Sequence, residues 1–514
     1  MHRSFRVLAP AGAVLLAVGC GSTVQGVTTS GPGVSGQGLS VQSAAPGAPN
    51  APAGALPGQT SGGATAPGSV LGPGGTVTGP AGTGSSSTGL PGGTTSSASV
   101  TQAGDGPGVT ATTIYTGEIY DPDAAAADQA LGASGINPGD TKAETEALLK
   151  YINAHGGIAH RKVVPVWYKE SANDASSTTD QRACATWTQD NKSFLLLSGQ
   201  PILDQCAASE GAVGVNSGVI AAENAQIHQK YPADVNLTGA GLDTSMTATI
   251  NGLAKQGYFA NGAKVGIATW DAPEYAWSIQ HAAVPALAAV GQRNVPVKYI
   301  HVPQSYGDLG STSASVQNAV LSFQTQHIDH VLLFDGLAGI NNSGILVIEW
   351  MNQAESQQYR PRYGLNSTSG FNALNGDVPQ AQQANSVGVG WLPFLEAEES
   401  DWGPSHWSAQ TKLCLKIMAD AGQAATNNNQ RAIQIGLCDR YFFFKRVLDP
   451  VKGPLNQATA MAAINAIGGS YHPGTTFGIF VDRNHHSAVT QVRNVVYVGS
   501  CQCYRYSGAP YNAF

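Results

Sequence analysis

From residue 108 onward, short apolar runs alternate with stretches in which apolar positions recur every three or four residues. Thr112–Tyr115 leads into Thr116-Gly117-Glu118-Ile119-Tyr120, a β-branched run that predicts a strand ending at an Asp121-Pro122 turn. A helix is predicted to start near Asp140. Asp140 or Thr141 supplies its cap, Glu144 completes a Thr-x-x-Glu capping box, and Ala147, Leu148, Tyr151 and Ile152 form its apolar face. Gly156-Gly157 then stops it. Further strands are predicted at Val163–Tyr168, Phe194–Ser198, Val219–Ala222, Val265–Thr269, Val297–Val302, Val331–Asp335 and Tyr363–Leu365, with a helix over Ala175–Asp190 and helical patterns between most of the others. Strands this short and this apolar are covered on both faces by helices, and right-handed crossovers then give parallel sheets. The predicted class is α/β with two sheets. About 400 residues exceed what one hydrophobic core usually supports, so two lobes are expected.

The residues before 108 follow a different pattern. Arg3 and Arg6 precede an apolar run, Val7–Val18, which closes on Ala17-Val18-Gly19-Cys20. A basic start, a short apolar run and small residues at its end read as a secretory signal, and the run is too short to span a bilayer comfortably. The small residue before Cys20 resembles the lipobox of bacterial lipoproteins. That resemblance implies removal of residues 1–19 and a lipid on the Cys20 sulfur, hence a lipid-anchored, extracytoplasmic protein on the outer face of the cell membrane. From Gly21 to Gly104 there is no charged residue and no aromatic one. Such a chain cannot bury enough apolar surface to order itself, so 20–107 is expected to be a disordered Gly/Ser/Thr/Pro tether, roughly 50 Å end to end.

Charge and cysteine content narrow the picture further. The net charge of -7 and the lack of a basic run argue against a nucleic-acid partner. Leaving out Cys20, six cysteines remain in an exported chain and read as up to three disulfides. Pairing near neighbours gives Cys184 on a predicted helix with Cys206 after the next strand, Cys414 with Cys438 on successive helical segments, and Cys501 with Cys503. No G-x-S-x-G, H-E-x-x-H or phosphate-loop pattern occurs, so no enzyme is expected. His485-His486 and Cys501-x-Cys503 fit no common zinc framework, and neither metal nor cofactor is expected.

Several segments resemble one family. Gly108-Val-Thr-Ala-Thr-Thr-Ile114 with Gly117 is similar to the opening strand of type 1 periplasmic binding proteins, the branched-chain amino acid binding family. Ile152-Asn-Ala-His-Gly-Gly-Ile158 with Arg161-Lys162-Val163 resembles that family's first helix end and second strand. Ala183-Cys184 and Asp190–Leu197 resemble its second helix and third strand. Val265–Thr269 with Tyr275 resembles the start of lobe two. The resemblance implies two Rossmann-like lobes, 108–240 with 385–482 and 241–384 with 483–514. A three-strand hinge would cross near Leu237–Asp243, Ala384–Val387 and Asp482–His485. It further implies a small-molecule ligand, an amino acid or similar polar metabolite, delivered to the permease of an ABC transporter.

In open α/β sheets ligands lie beyond the carboxyl ends of the strands. That rule selects Tyr120, Asp121, Ser198, Gly199, Gln200, Ala222, Glu223 and Asn224 in lobe one, and Tyr275, Asp335, Asn366 and Ser367 in lobe two. Ser198 and Gly199 would let backbone amides approach a carboxylate. Tyr120 and Tyr275, on the cleft rim, would cover an apolar body, and Glu223 or Asp335 would pair with an amine. The structural alternatives are packing tyrosines and carboxylates that cap the next helix. Amino acid binders often carry an acid after the last lobe-two strand, whereas here Asn366-Ser367-Thr368-Ser369 follows it. Two other functions are compatible with the fold: an envelope regulator or signalling receptor that binds a partner protein, and a hydrolase built on an α/β scaffold.

Overall fold

In the computed structural model the described residues are 104–130, 137–171, 177–216, 218, 222–340, 344–396 and 401–513. The signal segment, Cys20 and residues 20–103 of the expected tether lie outside them. The remainder of that expectation shifts, because residues 104–107 pack on the folded unit. Leu455 donates its amide to Asp105 Oδ1 at 2.7 Å, and Gly106 donates its own to the Leu455 carbonyl at 2.8 Å.

Among the described residues the strands form two sheets. The first is parallel in the order β2-β1-β3-β4-β5, with β1 Thr113–Tyr120, β2 Lys162–Lys169, β3 Leu195–Leu197, β4 Val213–Asn216 and β5 Asp234–Asn236. The strand expected at Val219–Ala222 falls largely outside the described residues, which omit 219–221 and show Ala222 as loop. The strand β4 was not expected; β3 and β5 hydrogen-bond it from both sides.

The second sheet runs β12-β11-β10-β9-β8-β6-β7, with β6 Val265–Trp270, β7 Val297–Ile300, β8 His330–Phe334, β9 Arg362–Asn366, β10 Ser386–Gly390, β11 Gln491–Val498 and β12 Cys503–Asn512. It is parallel as far as β10, to which β11 and β12 add as antiparallel strands. The chain therefore leaves this sheet after Gly390, later than the crossing expected at Ala384–Val387. Register explains the shift: Ser386–Val389 pairs with Tyr363–Asn366 and stays in lobe two.

Each sheet has its own core. Ile114, Leu195, Val213 and Val235 pack with the helices around Tyr441 and Phe444 in lobe one, while Ile267, Leu332, Leu365 and Val389 pack with Met246, Phe323 and Trp350 in lobe two. The helix Thr141–Ala154 begins as the cap pattern implies, with Ala143 donating to Asp140 Oδ1 at 3.0 Å. Glu144, however, closes no capping box. It is buried, and its Oε1 accepts from Gln430 and Gln434 of the helix Asn428–Leu448, both at 2.8 Å. The same long helix carries Arg440, whose guanidinium pairs with buried Glu118 of β1, to which the Tyr441 hydroxyl also donates. All three expected disulfides form: Cys184–Cys206, Cys414–Cys438 and Cys501–Cys503. No helix among the described residues is long and apolar enough to cross a membrane.

Candidate functional site between the lobes

Three chain segments connect the lobes among the described residues. The first follows β5. The second runs through Trp391-Leu392, where Trp391 donates its amide to Ser367 Oγ at 2.9 Å and Leu392 donates to Glu396 Oε1 at 3.2 Å. The third, around His486–Ala488, pairs with β5: Asn236 donates to the His486 carbonyl at 2.8 Å and Ala488 to the Asn236 carbonyl at 2.9 Å. Gly241 donates to Ser487 Oγ at 2.9 Å and binds the first segment to the third.

The lobes meet at the loops chosen from the sequence. Asn224 caps the helix Ala225–Lys230 by accepting from the Ile227 amide at 3.1 Å. Its Nδ2 reaches into lobe two and donates to the Glu274 carbonyl at 3.1 Å and to Ser278 Oγ at 3.2 Å. Leu242, opening the first helix of lobe two, donates to the Glu223 carbonyl at 2.7 Å. Ser198, Gly199, Ala222, Glu223 and Asn224 come together here, because Ala222 donates to the Gly199 carbonyl at 3.0 Å. Gly199 has φ +121, and a Cβ there would lie 2.8 Å from Asn216, so the tight turn requires glycine. Its amide points to Asp204 Oδ1 at 3.3 Å rather than outward, and Gln200 serves as the residue before the helix Pro201–Ser209. Glu223 is fully buried, and burial followed by the charge of Asp234 pushes its carboxyl up to about 8.

The lobe-two candidates are occupied internally. Tyr275 is a core residue rather than a rim residue: it is 0% exposed and donates its hydroxyl to the Leu337 carbonyl at 3.1 Å. The reason is local, since the helix Pro273–Ser278 turns this face onto the lobe-two core. Asp335 accepts from Trp270 Nε1 at 2.9 Å, from the Gly336 amide at 2.8 Å and from the Gly344 amide ahead of the helix Ile345–Ser356 at 2.9 Å, so it organises a helix start. Asn366 donates to Thr249 Oγ1 at 3.1 Å and accepts from the Thr368 amide at 2.9 Å, while Ser367 supports the second crossing.

At the carboxyl ends of β1 and β2 the side chains remain partly open. Tyr120 stands edge-on to Trp167 with centroids 5.7 Å apart, and Lys142 Nζ lies 4.6 Å from the Tyr120 ring centre and 5.6 Å from that of Trp167. Asp121 turns its side chain to the Asp123 amide at 3.2 Å. Trp167 and Lys142 were not singled out in the sequence. In the parallel register Trp167 pairs with Glu118, two residues before Tyr120 and on the same face of the sheet, a relation that only the strand pairing reveals. Two cavities lie elsewhere. One of about 600 Å³ flanks the hinge between Thr247, Trp277, His281, Phe480 and His485. Another of about 460 Å³ lies beside Gln410, Phe442 and Lys445 of lobe one. Cys501 and Cys503 are bonded to each other and offer no thiolate, and His485 pairs with Asp482 at 2.7 Å.

Solved structures share this architecture throughout. A substrate-binding protein of an ABC transporter from Aeropyrum pernix superposes with a TM-score of 0.57 at 14% identity, over 78% of this chain and 96% of its own. A branched-chain amino acid ABC transporter protein from Thermus thermophilus with bound valine gives 0.54 at 14%, over 78% and 96%. A solute-binding protein of an ABC transporter from Rhodopseudomonas palustris HaA2 in complex with p-hydroxybenzoic acid gives 0.54 at 15%, over 78% and 97%. No protein-family model matches the chain, and no curated protein matches it in sequence. The fold is that of type 1 periplasmic binding proteins: two α/β lobes with parallel sheets.

Proposed function

We propose that this chain is an extracytoplasmic solute-binding lipoprotein, held to the membrane through Cys20, that clamps a small molecule between its lobes and delivers it to an ABC transporter permease without a catalytic step. The observation that carries the reading is the two-lobe fold with three connecting segments, an arrangement that bends at a hinge while each lobe stays rigid. A ligand touching both lobes stabilises the closed form by its differential affinity. The ligand chemistry is a small organic carboxylate with an apolar or aromatic body. Tyr120 and Trp167 offer the apolar surface and Lys142 the charge. The absence of an acid after β9 removes the usual partner for an α-amine. Bound p-hydroxybenzoic acid in a protein of the same fold agrees with this class.

A second reading has its own support. Tyr275, Asp335, Asn366 and Ser367 spend their polar groups inside lobe two, as suits a scaffold that binds a partner protein. Thermal shift of residues 104–514 against small carboxylates, with valine and 4-hydroxybenzoate included, separates the two. A solute binder gains melting temperature and shows a smaller radius of gyration by X-ray scattering. Tyr120→Ala and Trp167→Ala then weaken binding by roughly tenfold or more, at the ~1–2 kcal/mol expected of an aromatic contact. No stabilising carboxylate, an unchanged radius and co-purification with an envelope protein would decide for the partner-binding scaffold.

A further inference from the structure

A group of buried polar side chains lies under the first and third crossings. Asp234 and Asn236 come from β5, His228 from the helix Ala225–Lys230, Glu223 from the loop before it, Asp204 from the helix Pro201–Ser209, and His486 from the third crossing. Asp204, Glu223, Asp234 and Asn236 are 0% exposed, His486 6% and His228 9%. One ligand atom each of His228, Asp234 and His486 lies within 4.8 Å of the others, and so does one each of Asp204, Glu223 and Asp234. Asp234 thus belongs to both trios.

Hydrogen bonds satisfy only part of this group: the Gly199 amide donates to Asp204 Oδ1 at 3.3 Å and the Gly239 amide to Asn236 Oδ1 at 2.9 Å. His228 Nδ1 faces Asp234 Oδ1 at 3.2 Å and His228 Nε2 faces Glu223 Oε2 at the longer distance of 3.9 Å. His228 Nε2, His486 Nδ1, Asp204 Oδ2, Asp234 Oδ2 and both Glu223 oxygens make no hydrogen bond of regular geometry. Leaving such a buried group unsatisfied is unfavourable, and more so where the group is charged. Three carboxyl groups crowded in a buried space cannot all ionise without repelling one another, and a cation among them would relieve that repulsion.

We propose that His228, Asp234 and His486 bind a divalent transition-metal ion of the zinc class, with Glu223 and Asp204 beside it as a further oxygen ligand or as partners that orient the ligands. Two imidazoles and carboxylate oxygen are the donor set that Zn²⁺ accepts in tetrahedral sites, whereas Ca²⁺ and Mg²⁺ take oxygen ligands throughout. The ion fixes the third crossing to lobe one, since His486 lies on the segment whose main chain pairs with Asn236. It is a structural bolt at the root of the hinge, separate from the Tyr120 platform and independent of the solute reading. Sequence spacing could not reveal it, because the three ligands are drawn from positions 228, 234 and 486.

The test uses the full chain, purified, stripped with chelator, dialysed and titrated with Co²⁺. The expected result is a visible d–d absorption that saturates at one ion per chain, is displaced by Zn²⁺, and accompanies a rise in melting temperature. His486→Gln and Asp234→Asn each lower the Co²⁺ affinity at least tenfold, while His485→Gln, the exposed neighbour, leaves it unchanged. If the site variants do not fold, X-ray absorption of the zinc-loaded wild type decides, and a shell containing two imidazoles supports the site. A folded wild type with no saturable absorption, a band unchanged in both site variants, or a metal shell without imidazole overturns the proposal.

Discussion

Glu396 sits where the chain leaves the second sheet. Its Oε1 accepts from the Leu392 amide at 3.2 Å and its Oε2 from the Tyr506 hydroxyl. Burial raises this carboxyl from its ordinary 4.5 to about 7, although Ser367 and Tyr506 pull it the other way. Between those two values the folded chain holds a proton that the unfolded chain has lost. Stability is therefore full below about 4.5 and falls as pH rises toward 7. Glu396→Gln should flatten that dependence. Its melting temperature should match the wild type at pH 4.5 and exceed it at pH 8, by up to about 3 kcal/mol in stability. Parallel melting curves for the two proteins across this range would show that the carboxyl ionises normally in the fold. Glu396 illustrates how residue-level facts hide in a sequence. Nothing in Glu-Ala-Glu-Glu marks one acid as buried, and the partners Tyr506 and Ser367 are far away along the chain. Glu118 and Arg440 make the same point, being an ion pair in the lobe-one core drawn from β1 and the penultimate long helix.

Elements were more legible. Apolar runs such as Val265–Trp270 and His330–Phe334 lie inside a sheet, each paired with a strand on either side and buried in the lobe-two core, so burial is written directly into their composition. The hairpin of β11 and β12 was not read, because its residues show no regular apolar alternation, being mostly half-buried in β11 and exposed over much of β12, and pair with each other in antiparallel fashion at a sheet edge. The disulfides were read correctly because near neighbours in sequence sit on adjacent elements. Cys414–Cys438 ties the helix Ala409–Asp420 to the helix Asn428–Leu448 across a separation of 24 residues. Replacing both with Ala should cost roughly 3 kcal/mol through the freer unfolded chain. Cys501–Cys503 closes a separation of only 2 and should matter much less. Thermal melts of the two double variants check the ranking, and equal losses would contradict it.

At the scale of the whole molecule, the proposed anchor at Cys20 would set where the lobes work. If Cys20 carries lipid, Cys20→Ser should move the protein from the membrane fraction to the soluble fraction or the medium while leaving the melting temperature unchanged. Continued sedimentation with membranes would remove the anchor. The expected signal and tether rest on local properties alone: a basic start, an apolar run, and then a stretch with neither charge nor aromatic residue. Fold class was legible for a similar reason, since the alternation of strand and helix periods is a pattern along the chain. The sequence by itself determined the two-lobe α/β architecture, the disulfide partners and the loops at the strand ends. The tertiary structure alone decided which of those loops stay open. It turned Tyr275 into the core, engaged Asp335 and Asn366 within lobe two, and left Tyr120 beside Trp167 and Lys142. It also kept β10 in the second sheet and gathered His228, Asp234 and His486 into one buried space. Periodicity fixes which face of an element is apolar. What that face meets depends on sheet register and on chain crossings hundreds of residues apart, which no local pattern encodes.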